Sequence, residues 1–182
     1  MKISYGKHRL LWWSKSNRYK AGFTLVELMI VLLVIGIVAG VGGLALNNQM
    51  PKYKLRGDTR TIVSTLMLAR MKATQSGVQY AVRFDLDDPQ GYDLQRGNLS
   101  AGTHSDGWTN ESYHRDMSAG VSMASVQDDD GTTSAGGGAA RIIYNPNGSS
   151  GVGQILLGNG SLQYTISLTR ATGRVVSEKV ET

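Results

Sequence analysis

The chemistry open to this chain sits in a few residues, and Glu27 is the most exposed to scrutiny. It stands inside an apolar run, residues 23–46, and from Leu28 to Leu46 that run holds no polar side chain. A carboxylate at the centre of a membrane costs on the order of 2.5–3.5 kcal/mol on insertion scales, so it needs a compensating partner. Were the mature chain to begin at Phe23, Glu27 would lie one helical turn from a new α-amine and on the same face. Such an amine, with a pKa of about 8, is largely protonated at neutral pH. The first turn adds unsatisfied N–H groups and the positive end of the helix dipole. A carboxylate placed there is neutralised by its own amine or by that of a packed neighbour.

Other polar clusters carry less. Asp128-Asp129-Asp130 has calcium-ligand chemistry, but adjacent carboxylates lack the alternating spacing of an EF-hand loop, and a solvated acidic loop is the expectation. His104, Asp106, Glu111, His114 and Asp116 are metal-capable types without paired helical spacing, which reads as surface loop. The chain has no Cys, which excludes disulfides, thiolate metal sites and Cys nucleophiles. It also lacks a Gly-Lys-Ser/Thr phosphate loop and a Gly-x-Ser-x-Gly elbow. The expectation is therefore no enzyme, no cofactor and no bound metal. Lys52, Lys54, Arg56, Arg60, Arg70 and Lys72 form a basic stretch suited to anionic lipid headgroups or nucleic acid, with a solvated juxtamembrane face as the default for its first members. Arg170, Arg174 and Lys179 are a second basic set, diluted by Glu178 and Glu181.

The elements that must position these residues follow from charge and periodicity. The chain has 182 residues, 41% apolar and 18% charged, so it is neither disordered nor a polytopic membrane protein. Of its 19 Lys and Arg residues, six precede residue 22 with no acidic residue among them, leaving 13 against all 14 acids from Phe23 onward. The basic pI of about 9.5 thus belongs to a leader. Residues 23–46 as a helix would span about 36 Å, enough for a ~30 Å hydrocarbon core and too long for a secretory signal, although Gly43-Leu44-Ala45 is a weak cleavage site. The six leading basics place the leader in the cytoplasm and the bulk outside. Beyond Pro51, Leu55, Ile62, Leu66, Ala69 and Ala73 form a helical stripe, widened by Val63, Met67 and Met71, with Gly77 as the C-terminal cap. Val78, Tyr80, Val82, Phe84 and Leu86 alternate with Gln79, Ala81, Arg83 and Asp85 as a half-buried strand. Residues 87–91 make a turn and Tyr92–Gln95 pairs back. Further strands are expected at Arg141–Tyr144, Gly153–Leu157, Ser161–Thr169 and Arg174–Ser177, with turns at 158–160 and 171–173. Arg96–Met117 shows no period, and Gln127–Ala140 reads as low-complexity loop.

Lys20-Ala21-Gly22-Phe23-Thr24-Leu25-Val26-Glu27-Leu28 resembles the cleavage and methylation site of type IV prepilins and pseudopilins. By that resemblance Gly22 precedes the cut, Phe23 becomes N-methyl-Phe and Glu27 is the assembly carboxylate. The order of elements, with Leu68-Ala69-Arg70, Tyr144-Asn145-Pro146-Asn147-Gly148 and Gly173-Arg174-Val175, resembles the GspH/FimT family of minor pseudopilins. The implied fold is α+β: a long N-terminal helix, half membrane and half amphipathic, packed on an antiparallel β-sheet head. The implied domains are a removed leader (1–22), a membrane and filament-core helix (23–46), an amphipathic helix (47–77) and a β-rich head (78–182). The resemblance implies a non-enzymatic minor pseudopilin of a type II secretion pseudopilus or type IV pilus tip, single-pass in the inner membrane with a periplasmic head. Its implied partners are a prepilin peptidase, other pseudopilins or minor pilins, an inner-membrane assembly platform and the lipid bilayer. The alternative is a FimT-like minor pilin for DNA uptake, contacting nucleic acid through Arg170, Arg174 and Lys179.

Overall fold

The structure, a computed structural model, describes residues 22–100, 105–112 and 114–180, with the backbone alone over 41–49. The leader through Ala21, His104, Tyr113 and Glu181 lie outside the described residues. Two compact units divide the chain, residues 1–44 and 45–182. Helix α1, Leu25–Ser76, supplies the first unit's regular structure and the opening element of the second, and contains Pro51.

In the first unit every described side chain of the apolar run is exposed, Leu25 by 74% and Val38 by 65%. A helix that is apolar on all sides is stable only inside apolar surroundings that it does not itself provide. Among the described residues no helix is long and apolar enough to cross a membrane; the side chains of 41–49, part of the same run, lie outside them.

In the second unit the helical stripe is where the periodicity places it. Leu55, Ile62, Leu66, Ala69 and Ala73 are all fully buried, and burying each of the larger ones contributes roughly 1.5–3 kcal/mol. Thr59 shares the stripe because its hydroxyl donates to the Leu55 carbonyl at 2.7 Å. Met67 and Met71 do not widen it. They sit roughly 120–160° around the helix from the stripe's centre at 100° per residue, and they are 52% and 48% exposed.

Ten strands follow among the described residues: β1 (Tyr80–Asp85), β2 (Gly91–Gly97), β3 (Trp108–Asn110), β4 (Arg115–Asp116), β5 (Ser122–Asp128), β6 (Gly131–Ser134), β7 (Ala139–Tyr144), β8 (Gly153–Gly158), β9 (Gln163–Thr169) and β10 (Arg174–Val180). All pairings are antiparallel, in one sheet ordered β3-β2-β1-β7, with β4 also on β2, and a second ordered β10-β9-β8-β5-β6. Tyr80, Val82, Phe84, Leu94 and Ile142 of the first sheet share one apolar cluster with Met123, Val126, Ile155, Leu157 and Ile166 of the second, closed by the α1 stripe.

Three expectations are corrected. Strand β1 is not half-solvated: Ala81 is fully buried, and its second face adjoins Asp93 and Gln95, 2% and 6% exposed. A polar layer covers it, in which the Arg141 Nε donates to the Gln95 Oε1 at 3.0 Å and the Gln95 Nε2 donates to the Asn110 Oδ1 at 2.8 Å. The Arg141 guanidinium lies 5.2 Å from the Trp108 ring centroid. The segment 96–117, unreadable as sequence, holds β3 and β4, and β3 supplies Trp108 and Asn110 to that cover. The stretch 127–140 is not a loop but contains the β5–β6 turn, all of β6 and the start of β7.

Candidate functional site

Thr24 sets where α1 begins. Its hydroxyl accepts a hydrogen bond from the Glu27 backbone N–H at 3.1 Å, and its carbonyl accepts one from the Leu28 N–H at 3.1 Å. Thr24 is therefore the N-cap and Glu27 the third helical residue, the Thr-x-x-Glu order of a capping box. The Glu27 side chain is thereby held in the first turn, at the positive end of the helix dipole. Gly22 and Phe23 precede the cap in non-helical chain, and Phe23 is 84% exposed. A Cβ added to Gly22 would meet nothing within 4 Å. No contact among the described residues demands a bare backbone there, so any such demand is imposed by what binds it.

In the second unit the three short motifs of the head converge. The Arg70 Nε donates to the Gly148 carbonyl at 3.2 Å. Gly173, at φ +59°, lies so close that a Cβ would come within 2.5 Å of the Gly148 oxygen, 3.1 Å of the Tyr144 ring and 3.2 Å of the Arg70 side chain. Only a residue free to take a left-handed backbone and lacking a side chain fits that position. Tyr144 is fully buried beside them with its hydroxyl unpaired. Burial pushes its phenol far above the ordinary value, and the Arg70 guanidinium offsets this only in part. This cluster joins the end of α1 to the β7–β8 and β9–β10 turns. It positions the head; it has no reactive group.

The basic set Arg170, Arg174 and Lys179 is not brought onto one surface. The Arg170 guanidinium donates to the Asp129 carboxylate. Arg174 and Lys179 lie five residues apart in β10, so strand alternation sends them to opposite faces. In the earlier basic stretch, the Lys54 Nζ donates to the Ala119 carbonyl at 3.4 Å, the Arg56 Nε to the Tyr164 hydroxyl at 3.2 Å, and Lys72 pairs with Glu111 at 2.9 Å.

The acidic run forms the turn between β5 and β6, with Asp129 and Asp130 exposed. The Asp128 Oδ1 accepts from the Asp130 and Gly131 N–H groups, and its Oδ2 accepts from the Arg141 N–H at 2.9 Å. The Asp129 Oδ1 accepts from the Val152 N–H at 3.0 Å. The metal-capable set is dispersed: the Asn98 amide holds Asp106 below the usual carboxylate range, Glu111 faces Lys72, and His114 lies between Asp93 at 3.6 Å and Asp116 at 3.5 Å. Sequence reasoning missed Thr24 as a cap, although Thr-x-x-Glu ahead of an apolar run is the signal for one.

Residues 17–43 match the prokaryotic N-terminal methylation motif, and residues 58–173 match the type II transport protein GspH family. No curated protein matches the chain. Among solved structures, the minor pseudopilin EpsH from the type 2 secretion system of Vibrio cholerae is similar in fold, with a TM-score of 0.51 at 12% identity, over 68% of this chain and 94% of that one. The chain belongs to the type II transport protein GspH family: it is a type IV pilin-like minor pseudopilin.

Proposed function

We propose that this chain is made as an inner-membrane precursor, cut between Gly22 and Phe23 and N-methylated on Phe23 by a prepilin peptidase, and built as a structural subunit into a type II secretion pseudopilus. Residues 1–22 form the cytoplasmic leader. Residues 23–46 span the bilayer and then enter the filament core, residues 47–77 continue the helix, and residues 78–182 form the periplasmic head. The subunit works mechanically, by moving its apolar helix from lipid into a bundle of like helices on the assembly platform. It is not an enzyme.

The Thr24 cap carries this reading. It holds Glu27 in the first turn of an otherwise apolar helix that starts immediately after Gly22-Phe23. There the carboxylate is suited to neutralise an α-amine created at Phe23, its own or a neighbour's. The match to the methylation motif and the EpsH-like fold support the same assignment. DNA uptake would ask for one basic surface, which Arg170, Arg174 and Lys179 do not share.

Intact-mass analysis of membrane material tests the processing step: the mature chain begins at N-methyl-Phe23, and Gly22→Leu leaves precursor uncut. A mature start at Leu46 would overturn the reading. Glu27→Leu makes the span more apolar, so it inserts normally and fails to co-purify with the other subunits. Co-purification at wild-type levels would remove the assembly role.

A further inference from the structure

The two methionines that left the buried stripe do not face bare solvent. Met67 and Met71 line a groove of about 690 Å³ between α1 and the start of β10, with Val175, Thr74, Arg70 and Arg174. Its floor is thioether and aliphatic, and methionine side chains adapt to irregular apolar partners. Two guanidinium groups stand in its wall, and neither is paired with a carboxylate among the described residues. The Arg70 Nε is spent on the Gly148 carbonyl, which anchors the guanidinium while its Nη groups make no hydrogen bond among the described residues. The Arg174 side chain makes none either; its backbone N–H donates to the Thr172 hydroxyl at 3.3 Å. Glu178, the next acid along β10 on the same face, is four residues on, about 13 Å at ~3.3 Å per residue. Among the described residues, no acidic one lines the groove.

Half-exposed methionines beside two uncompensated guanidiniums describe the complement of a particular partner surface. An apolar side chain would cover the floor, and a carboxylate would accept from the guanidinium forks. Nucleic acid fits less well, because among the described residues the floor offers no aromatic ring for base stacking and the wall offers two cations. We propose that this groove docks a short apolar, carboxylate-bearing segment of a different subunit of the same filament. The proposal rests on the filament reading given above and adds to it the face through which the head contacts its neighbour.

The test uses the full chain in cells that hold the rest of its assembly machine, with photoreactive p-benzoylphenylalanine replacing Met71. The expected cross-link maps to an apolar segment of another pseudopilin that contains Asp or Glu. Arg174→Glu, which disturbs no side-chain hydrogen bond of the fold, abolishes that cross-link, and replacing the mapped carboxylate by Lys restores it. The paired Arg70→Glu and Arg174→Glu variant gives the same loss. No cross-link, a cross-link indifferent to Arg174→Glu, or capture of nucleic acid or of a second copy of this chain would each overturn the proposal. A chain that carries N-methyl-Phe23 and co-purifies with other pseudopilins, yet shows one of those results, leaves the filament reading standing and sinks the groove alone. A chain that is neither processed nor co-purified fails the filament reading and takes the groove down with it.

Discussion

Replacing Gly173 by Ala isolates the cost of the close approach among the head's three motifs, provided it is compared with Gly160→Ala. Both glycines are left-handed, at φ +59° and +82°. An alanine at either site carries a backbone penalty on the order of 1 kcal/mol. At Gly160 the new methyl meets nothing within 4 Å, so that penalty is the whole effect. At Gly173 the methyl would stand 2.5 Å from the Gly148 carbonyl oxygen and 3.1 Å from the ring of Tyr144. One obstacle is backbone and the other a fully buried ring, so neither yields cheaply. Overpacking of this kind adds about 1–3 kcal/mol, for a total of roughly 2–4 kcal/mol against ~1 kcal/mol at the control site. In a domain of this size the difference appears as a fall in Tm of roughly 4–16 °C for Gly173→Ala and roughly 2–4 °C for Gly160→Ala. Urea and thermal unfolding of the detergent-solubilised chain, followed by near-ultraviolet circular dichroism, measure both. Equal losses at the two sites would show that the convergence of Arg70, Tyr144 and Gly148 on Gly173 contributes nothing to stability.

The buried Tyr144 hydroxyl has no partner, so Tyr144→Phe raises stability at neutral pH by about 1 kcal/mol, read from the urea midpoint. Because burial raises that phenol's pKa, ionisation disfavours the folded state: stability is kept in full below the unfolded value of about 10 and is lost as pH rises through the folded value. The Phe variant therefore also resists alkaline unfolding better. The Lys72 hydrogen bond holds Glu111 below the usual carboxylate range and raises Lys72 in return. The Glu111 part is complete above the unfolded carboxylate pKa of about 4.3 and disappears as pH falls through the lowered folded value; the Lys72 part is complete below about 10.4 and disappears as pH rises through its raised one. Hydrogen exchange at Trp108–Asn110 accelerates at both extremes in the wild type, and Glu111→Gln makes it pH-independent once intrinsic rates are divided out. DNA binding at ~50 mM salt, where phosphate contacts count most, is weak or absent; tight binding that persists at ~200 mM would require a focused basic site.

Those elements legible in the sequence share one property: their residues repeat with an unbroken period. Leu55, Ile62, Leu66, Ala69 and Ala73 mark one face of a helix whatever lies beyond it, and Tyr80 to Leu86 alternate cleanly. Strand β5 escaped because it bulges. Its register shifts between Met123 and Ser125, so its buried residues Met123 and Val126 are three apart instead of two, and β6 had no recognisable partner. Met67 and Met71 were misplaced because hydrophobicity alone does not separate a core residue from an apolar contact surface. The Gly22, Phe23 and Glu27 pattern was legible because it is local, spanning a turn and a half. The Arg70, Tyr144, Gly148 and Gly173 convergence was visible only as three separate motifs, since their contact depends on how the strands close.

Under the processing proposed above, the Thr24 cap bears on the order of events at the membrane. Hydrolysis needs an extended stretch of chain that an active site can grip, and a helix withholds its backbone from such a grip. The cap halts the helix at Leu25, so the bond between Gly22 and Phe23 stays in open chain two residues short of it. On that reading the helix already ends there before the cut, and its end is held by a side chain that would remain on the product side. Removing the leader would then neither unwind nor extend the coil. Thr24 would act as a ruler: it would set the distance from the severed end to the carboxylate and hand the finished terminus over in the geometry that it had in the precursor.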